Sequence, residues 1–343
     1  MSTQRKSSIA AALLALVVSL VGCGGGGSGD GGGTVAVPTD PVSITPANAV
    51  QVASATLGAV DVLSDFDGNS LIGVASSSAG STETVNLRLE LADVLSAQLT
   101  RLQTRVPRTG ATVTVAVAIP PETFACLVSG TLTVSGDIAD PMLSTLTAGD
   151  VITGAFSNCD DGDGYVISGT LTITVQAFTG DLLVQPYSLT ASFSLTNLSL
   201  TQTGETLTLN GTATLAESTQ DDIFFTSTLS GSSLSFTEST GDAGTLTNFI
   251  SAGTDDFNTL EYTVDSSGTL ATVDLTGSVQ YATTITFRGS GNNYPFEGVM
   301  VITGADNSTE TITVVDSINL TIDVDENGDG IVDQTINTTW DAL

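Results

Sequence analysis

One segment near the end of the 343-residue chain combines acidic, amide and glycine residues at the spacing of a metal-binding loop. Over residues 325–333, the sequence places Asp, Asn, Asp and Asp at positions 1, 3, 5 and 9, and Gly330 at position 6. In EF-hand loops, side chains with this spacing bind Ca²⁺, the glycine makes the sharp turn and the position-7 carbonyl is a further ligand. The sequence therefore predicts a calcium site formed by Asp325, Asn327, Asp329, the carbonyl of Ile331, and Asp333.

The residues around this loop indicate strands rather than the two helices of an EF-hand. Position 12, a glutamate in EF-hands, is Ile336, and apolar residues alternate with polar ones before the loop. In this respect the loop resembles the calcium-binding hairpin loops of integrin α-type propellers and of bacterial surface proteins. The alternative is a hairpin turn with solvated acids, since Asn, Asp and Gly favour turns. Two other acidic segments, residues 65–69 and 158–164, match the pattern less completely.

The side chains that most enzyme mechanisms need are missing. The chain contains no histidine, and Lys6 is its only lysine. This excludes Ser-His-Asp and Cys-His nucleophiles, lysine Schiff bases and histidine-ligated zinc. Paired carboxylates that hydrolyse glycosides are the remaining alternative, but aromatic residues, which usually line carbohydrate clefts, make up only 5% of the chain. The sequence predicts a protein that is not an enzyme.

The chain begins with the pattern of an exported bacterial protein. Two basic residues precede an apolar run over residues 9–21, which is typical of a cleavable signal peptide and too short for a spanning helix of about 20 residues. Residues 20–23, Leu-Val-Gly-Cys, resemble the bacterial lipobox, which implies cleavage after Gly22, acylation of Cys23 and an outer-membrane location. A plain signal peptide or a single membrane helix is the alternative. We expect a signal peptide at 1–22 and a flexible, glycine-rich linker at 23–42.

The charge of the chain restricts its partners. Without residues 1–22 the chain keeps five arginines and all 37 acidic residues, a net charge of about −32. Such a surface repels nucleic acid and anionic lipid headgroups. The sequence therefore predicts no nucleic-acid partner and a membrane contact made through acyl chains alone, since more than one chain suffices for stable anchoring.

Besides Cys23, the chain contains two cysteines, Cys126 and Cys159. In an exported, oxidising compartment such a pair favours a disulfide. The alternative is two buried free thiols.

A helical region is expected over residues 43–108. Thr45 followed by Pro46 is a helix start signal, and apolar residues then recur at helical spacing until about Leu63: Ala47, Val50, Ala53, Leu57 and Val60. A second helix is predicted over residues 83–105 from a stripe of five leucines. We expect these leucines to cover a hydrophobic core, with a partner-binding helix as the alternative.

From residue 109 to residue 343 the apolar period changes to two, which is typical of antiparallel strands with one buried face. Between residues 189 and 200 the alternation changes parity, which predicts a β-bulge near Thr196 and Asn197. Turn signals divide the region into about 14–16 strands, too many for one flat open sheet. The fold class is therefore mainly β: a large curled antiparallel sheet, barrel-like or half-barrel, with the two helices packed on or in it.

Several features together resemble a group of gammaproteobacterial outer-membrane lipoproteins. They are the lipobox and glycine linker, the Ile-Thr-Pro-Ala-Asn-Ala-Val helix start, the region of Cys126 and Cys159, and the stretch from residue 294 to residue 340. The resemblance implies location and fold type and no biochemical activity. We expect a non-enzymatic envelope lipoprotein with a structural or surface-interaction role and a calcium-stabilised C-terminal hairpin. The alternative is a carrier of a hydrophobic ligand between the sheet and the helices.

Overall fold

The computed structural model describes residues 36–67, 117–140, 146–162, 166–181, 184–202, 205–219, 223–239, 241–291 and 293–343. These ranges contain one α-helix, α1 (Ala49–Asp67), and two short 3-10 helices, Ala305–Asn307 and Trp340–Ala342. They also contain fourteen strands: β1 Val117–Ala125, β2 Ser129–Ile138, β3 Val151–Asp160, β4 Val166–Asp181, β5 Val184–Gln202, β6 Glu205–Thr219, β7 Phe224–Glu238, β8 Ala243–Asp256, β9 Glu261–Thr272, β10 Gly277–Ser290, β11 Glu297–Thr303, β12 Thr309–Val314, β13 Asn319–Asp325 and β14 Gln334–Thr339.

Some predicted features lie outside these ranges, namely the signal peptide, Cys23, most of the linker and the second helix at 83–105. Of the two predicted helices, only the first is therefore found. In the described ranges, no helix has the length and apolarity needed to cross a membrane.

All fourteen strands belong to one antiparallel sheet in which each strand pairs with its neighbours in the sequence. The described strands β1 and β14 do not pair with each other, so the sheet is open and these two strands form its edges. The mainly β class and the strand count confirm the prediction, whereas a closed barrel is excluded by this pairing. Because the order is a simple meander, the loops after odd-numbered strands lie at one end of the sheet and the loops after even-numbered strands lie at the other.

The alternation of residues along the strands produces one buried face. In β4 and β5, for example, Leu171 and Phe193 are buried while the intervening threonines and serines are partly exposed. The predicted bulge is confirmed, because the register of β5 against β6 shifts between Leu195 and Leu198. Asn197 occupies the bulge with a φ of 46°, and its N–H donates to the Asn210 side chain at 2.7 Å.

The first helix begins close to the predicted position. The N–H of Ala49 donates to the Thr45 carbonyl at 3.0 Å, and the Asn48 side chain accepts from the Thr45 N–H at 2.8 Å. The predicted buried face is partly wrong: Ala47 and Val50 are exposed. The buried residues are instead set by contacts with the sheet: Ala49, Val52, Ala53, Ala55, Thr56, Leu57, Ala59, Val60, Asp61 and Leu63.

Helix α1 packs on the C-terminal half of the sheet, against β7, β8, β9, β12 and β13. Two hydrogen bonds hold it at its N-terminal half. The side chain of Gln51 donates to the Asp274 carbonyl at 3.0 Å, and the hydroxyl of Ser54 donates to the Leu343 carbonyl at 2.5 Å. The helix therefore joins the loop after β9 to the end of the chain.

The segment before α1 is bound to one end of the sheet. Val42 donates its N–H to the Ser278 carbonyl at 2.9 Å, and it accepts from the N–H of Ala305 at 2.8 Å. The carbonyl of Val42 passes so close to Gly304 that a Cβ atom there would lie 2.1 Å from it, so only glycine fits. We call this end of the sheet, with the loops that follow odd-numbered strands, the tether end, and the opposite one the far end.

Candidate functional site

The predicted calcium loop forms the β13–β14 connection at the tether end, and Asp325 organises it. This side chain is buried, with 8% of its surface exposed. Its Oδ1 accepts hydrogen bonds from the N–H groups of Gly328 at 2.8 Å and Asp329 at 3.3 Å, and its Oδ2 accepts from Gly330 at 2.7 Å. The loop backbone therefore wraps around one carboxylate. Gly330 has a φ of 83°, a backbone conformation that favours glycine. The sharp turn that the sequence predicted at this position is therefore present.

The other predicted ligands take part in the same turn. Asn327 Oδ1 accepts from the N–H of Asp329 at 2.9 Å, and Asp329 Oδ1 accepts from the N–H of Ile331 at 2.8 Å. Asp333 Oδ2 accepts from the N–H of Glu326 at 2.8 Å. Because a carboxylate has about four lone-pair sites, each acid of the loop keeps acceptor capacity beyond these bonds. The oxygen-rich donor set fits Ca²⁺, which prefers such ligands.

The spacing of the carboxylates fits less well. Among the described residues, one set of three cysteine or acidic side chains has its ligand atoms within 4.8 Å of one another, and it consists of Cys126, Cys159 and Asp161. The three aspartates of the β13–β14 loop do not form such a set. Calcium binding by this loop would therefore require its side chains to move closer together.

The set of Cys126, Cys159 and Asp161 is not a metal site, because its two sulfur atoms are bonded to each other. They lie at disulfide distance, with Cα atoms 5.5 Å apart, as predicted from the cysteine count. Cys126 follows β1 and Cys159 lies near the end of β3, so the bridge spans three strands at the tether end. Asp161 accepts from the N–H of Leu127 at 2.8 Å, which holds the β1–β2 loop against the β3–β4 loop.

A second group of polar residues, which the sequence did not predict, lies between α1, β9 and the end of the chain. Tyr294 stacks on Trp340 with ring centroids 5.3 Å apart and donates its hydroxyl to Asp341 at 3.0 Å. Burial, helped by Asp341, raises the pKa of Tyr294 to about 12. Burial also raises the pKa of Tyr262, and the nearby charge of Asp61 adds to this effect. These aromatic hydroxyls stay protonated at neutral pH and act as hydrogen-bond donors.

Glu310 of β12 is the most unusual buried acid. It is fully buried, and within the described residues neither carboxylate oxygen has a hydrogen-bond partner. Desolvation raises the pKa of this carboxyl well above its ordinary value. The sequence shows Glu310 only as a polar residue in a strand, and its inward position follows from its register opposite Ile302 of β11 and Val324 of β13.

Cys23, the predicted lipidation site, lies outside the described residues. No family model, curated protein or solved structure matches the chain.

Proposed function

We propose that this chain is a non-enzymatic lipoprotein of the bacterial outer membrane, anchored by acyl chains on Cys23 and serving a structural or surface-interaction role. The observation that carries the proposal is the fixed position of the segment that follows the linker. Residues 40–44 bond to Ser278, Ala305 and Ser308 at the tether end. A chain that arrives at one defined end of a rigid sheet is suited to hold that sheet in one orientation relative to its anchor.

The length of the linker supports this arrangement. Fifteen residues, 24–38, lie between the anchor at Cys23 and Thr39, whose carbonyl and that of Asp40 are the first backbone groups bonded to the sheet. A glycine-rich chain of this length has a root-mean-square reach of roughly 20–25 Å. The tether end would therefore face the membrane across a hydrated gap, and the far end would face away. The net charge of the chain, −30 before any cleavage, opposes direct contact with anionic headgroups.

The sheet is proposed to be a half-barrel curved around α1. The helix contacts β7–β9 and also β12 and β13, two groups of strands that lie on either side of β10 and β11. A sheet that bends around the helix would bring both groups to it. Because α1 occupies this face directly, the described residues give no specific support to the alternative of a hydrophobic-ligand carrier.

Calcium is proposed as a structural ion of the β13–β14 loop. The loop lies beside the fixed N-terminal segment, because a Cβ atom at Gly328 would lie 2.8 Å from the carbonyl of Asn307, in the 3-10 helix that binds Val42 through Ala305. An ion bound by Asp325, Asn327, Asp329, Ile331 and Asp333 would neutralise repulsion among the three carboxylates. It would thereby stabilise the last hairpin and the point where the linker meets the sheet.

Cell fractionation tests the anchor. Cys23→Ala should move the protein from the membrane pellet to the soluble fraction, since no other membrane contact is proposed. Ser28→Ala, a change of similar size in the linker, should leave it in the pellet. A Cys23→Ala protein that still sediments with membranes would reject the proposed anchoring.

Thermal melting with and without millimolar Ca²⁺ tests the ion. Because a ligand that binds only the folded state raises stability, calcium should raise the melting temperature of the native chain by several degrees and that of Asp329→Ala by much less. Asp316→Ala is the matched control: Asp316 accepts from the N–H groups of Ile318 and Asn319 in a far-end hairpin loop, and its variant should keep the full response. Equal responses of native chain and Asp329→Ala would exclude this loop as the site.

A further inference from the structure

The two outermost strands of the sheet differ in how they present their free edges. β1 contains Pro120 and Pro121, and its register against β2 shifts between Ile119 and Glu122. Prolines and bulges prevent an edge strand from pairing with another chain. β14 has the sequence Gln-Thr-Ile-Asn-Thr-Thr, with no proline, no charge and an unbroken register against β13. Of the two edges that the described strands form, β14 therefore offers the continuous one for strand pairing.

The hydrogen bonds of β14 show which of its backbone groups face outward. Trp340 donates its N–H to the Ile318 carbonyl at 3.1 Å, and bonded pairs in an antiparallel ladder recur at every second residue. The bonds to β13 therefore involve residues 334, 336 and 338. The N–H and C=O groups of Thr335, Asn337 and Thr339 point away from the sheet, and no described group bonds to them.

Carboxylates surround this edge. Asp333 immediately precedes β14 and Asp341 closely follows it, and both are exposed. Asp323 on β13 is partly exposed and accepts from the Thr335 hydroxyl at 2.5 Å. The edge is thus a neutral strand with negative charge at both ends and alongside it, which complements a strand that carries positive charge at its own ends.

A second copy of this chain fits the edge poorly. Antiparallel pairing of two β14 strands about Asn337 would place Asp333 of each copy near Asp341 of the other. Like charges facing each other across strands are destabilising, and each copy carries a net charge of −30. The charge of the edge therefore favours a different, basic partner.

We propose that the outer edge of β14 binds an extended segment of another protein by strand addition, and that this segment carries Lys or Arg at both ends. Main-chain hydrogen bonds to Thr335, Asn337 and Thr339 supply the affinity, and the flanking carboxylates select the charge. This inference rests on the interaction role proposed above. The main-chain pairing does not depend on the lipid anchor or on calcium, and peptide binding is measured in calcium-free buffer because Asp333 is also a proposed calcium ligand. Fractionation and calcium melting therefore distinguish failure of this inference from failure of those proposals.

Fluorescence anisotropy with the purified full chain in detergent tests the proposal. The probe is a labelled nine-residue peptide of alternating Thr and Val with Lys at both ends, and the control peptide has Glu at both ends. Asn337→Pro removes one outward N–H and leaves the bonded residues of β14 unchanged. It should weaken binding at least about tenfold, since one lost hydrogen bond and a steric block together exceed 1.4 kcal/mol. Asn337→Ala, which keeps the N–H, should bind within about twofold of the native chain.

Two further measurements keep the test decisive if Asn337→Pro alters the hairpin. Asp341→Asn, which leaves the edge backbone intact, should weaken binding of the Lys peptide severalfold in low salt and less in high salt. The Glu peptide should bind at least about tenfold more weakly than the Lys peptide. Equal affinity for the two peptides, no effect of both Asn337→Pro and Asp341→Asn, or a dimer in sedimentation analysis that Asn337→Pro abolishes would each overturn the proposal.

Discussion

The two edges of the sheet are stabilised by different means. At the β1 edge, the Cys126–Cys159 disulfide ties the first three strands together, and Pro120 and Pro121 interrupt the edge itself. At the β14 edge, the last hairpin is closed by hydrogen bonds to one buried carboxylate, Asp325, and the strand remains open to pairing. The first edge is thus covalently tied and interrupted by proline, whereas the second is continuous and is the edge that we propose binds a partner strand.

Removing the disulfide should cause the largest loss of stability, and this loss should affect the β1 edge and not the β14 edge. The bridge joins residues 33 positions apart, so its loss should lower the free energy of unfolding by about 3–4 kcal/mol in the chain-entropy account. The double variant Cys126→Ala and Cys159→Ala, unfolded in urea, measures this. Alanine at both positions avoids a single reactive thiol.

The same variant sharpens the contrast between the edges. Under conditions where it remains folded, its affinity for the Lys-ended peptide should equal that of the native chain, because β14 lies at the opposite edge of the sheet. Loss of peptide binding in the folded variant would show that the two edges are coupled and that the contrast drawn between them is wrong.

Removing the Asp325 carboxylate should have the next largest effect, at the β14 edge. Asp325→Ala leaves the N–H groups of Gly328, Asp329 and Gly330 without their acceptor, and hydrogen bonds to a buried charged group contribute about 1.5–3 kcal/mol. We expect the free energy of unfolding in calcium-free buffer to fall by about 2–3 kcal/mol. Asp316→Ala, in an exposed loop, should cause a smaller loss, and equal losses would show that Asp325 does not organise its hairpin.

Local features of the fold were predictable from the sequence because their causes are local. The start of α1 follows from Thr45 and Pro46, and the β5 bulge follows from a change of parity at Asn197. The turn around Asp325 follows from the spacing of its acids and glycines. Each of these depends on residues close together in the chain.

Features that depend on distant contacts were missed. Val50 is exposed and Val52 is buried because the helix face is chosen by strands more than 150 residues away. The binding of Val42 to Ser278 and Ala305, and the open edge at Asn337, depend on which strands become neighbours. The spacing of acids suggested calcium ligands, but hydrogen bonds to loop N–H groups decide where those carboxylates lie.

The smallest expected effect concerns Glu310, which lies two strands from the β14 edge and buries a carboxyl without a hydrogen-bond partner among the described residues. Burial raises its pKa in the folded protein well above the ordinary value of 4.5. Between the unfolded and folded pKa values, the folded chain binds a proton that the unfolded chain has lost, so stability falls as the pH rises through this window.

Glu310→Gln removes this titration while keeping the shape of the side chain. The melting temperature of Glu310→Gln relative to that of the native chain should therefore rise between pH 4 and pH 7. A native-minus-variant difference that is independent of pH would mean that Glu310 is ionised in the folded protein and that the β14 side of the core is more hydrated than its burial indicates.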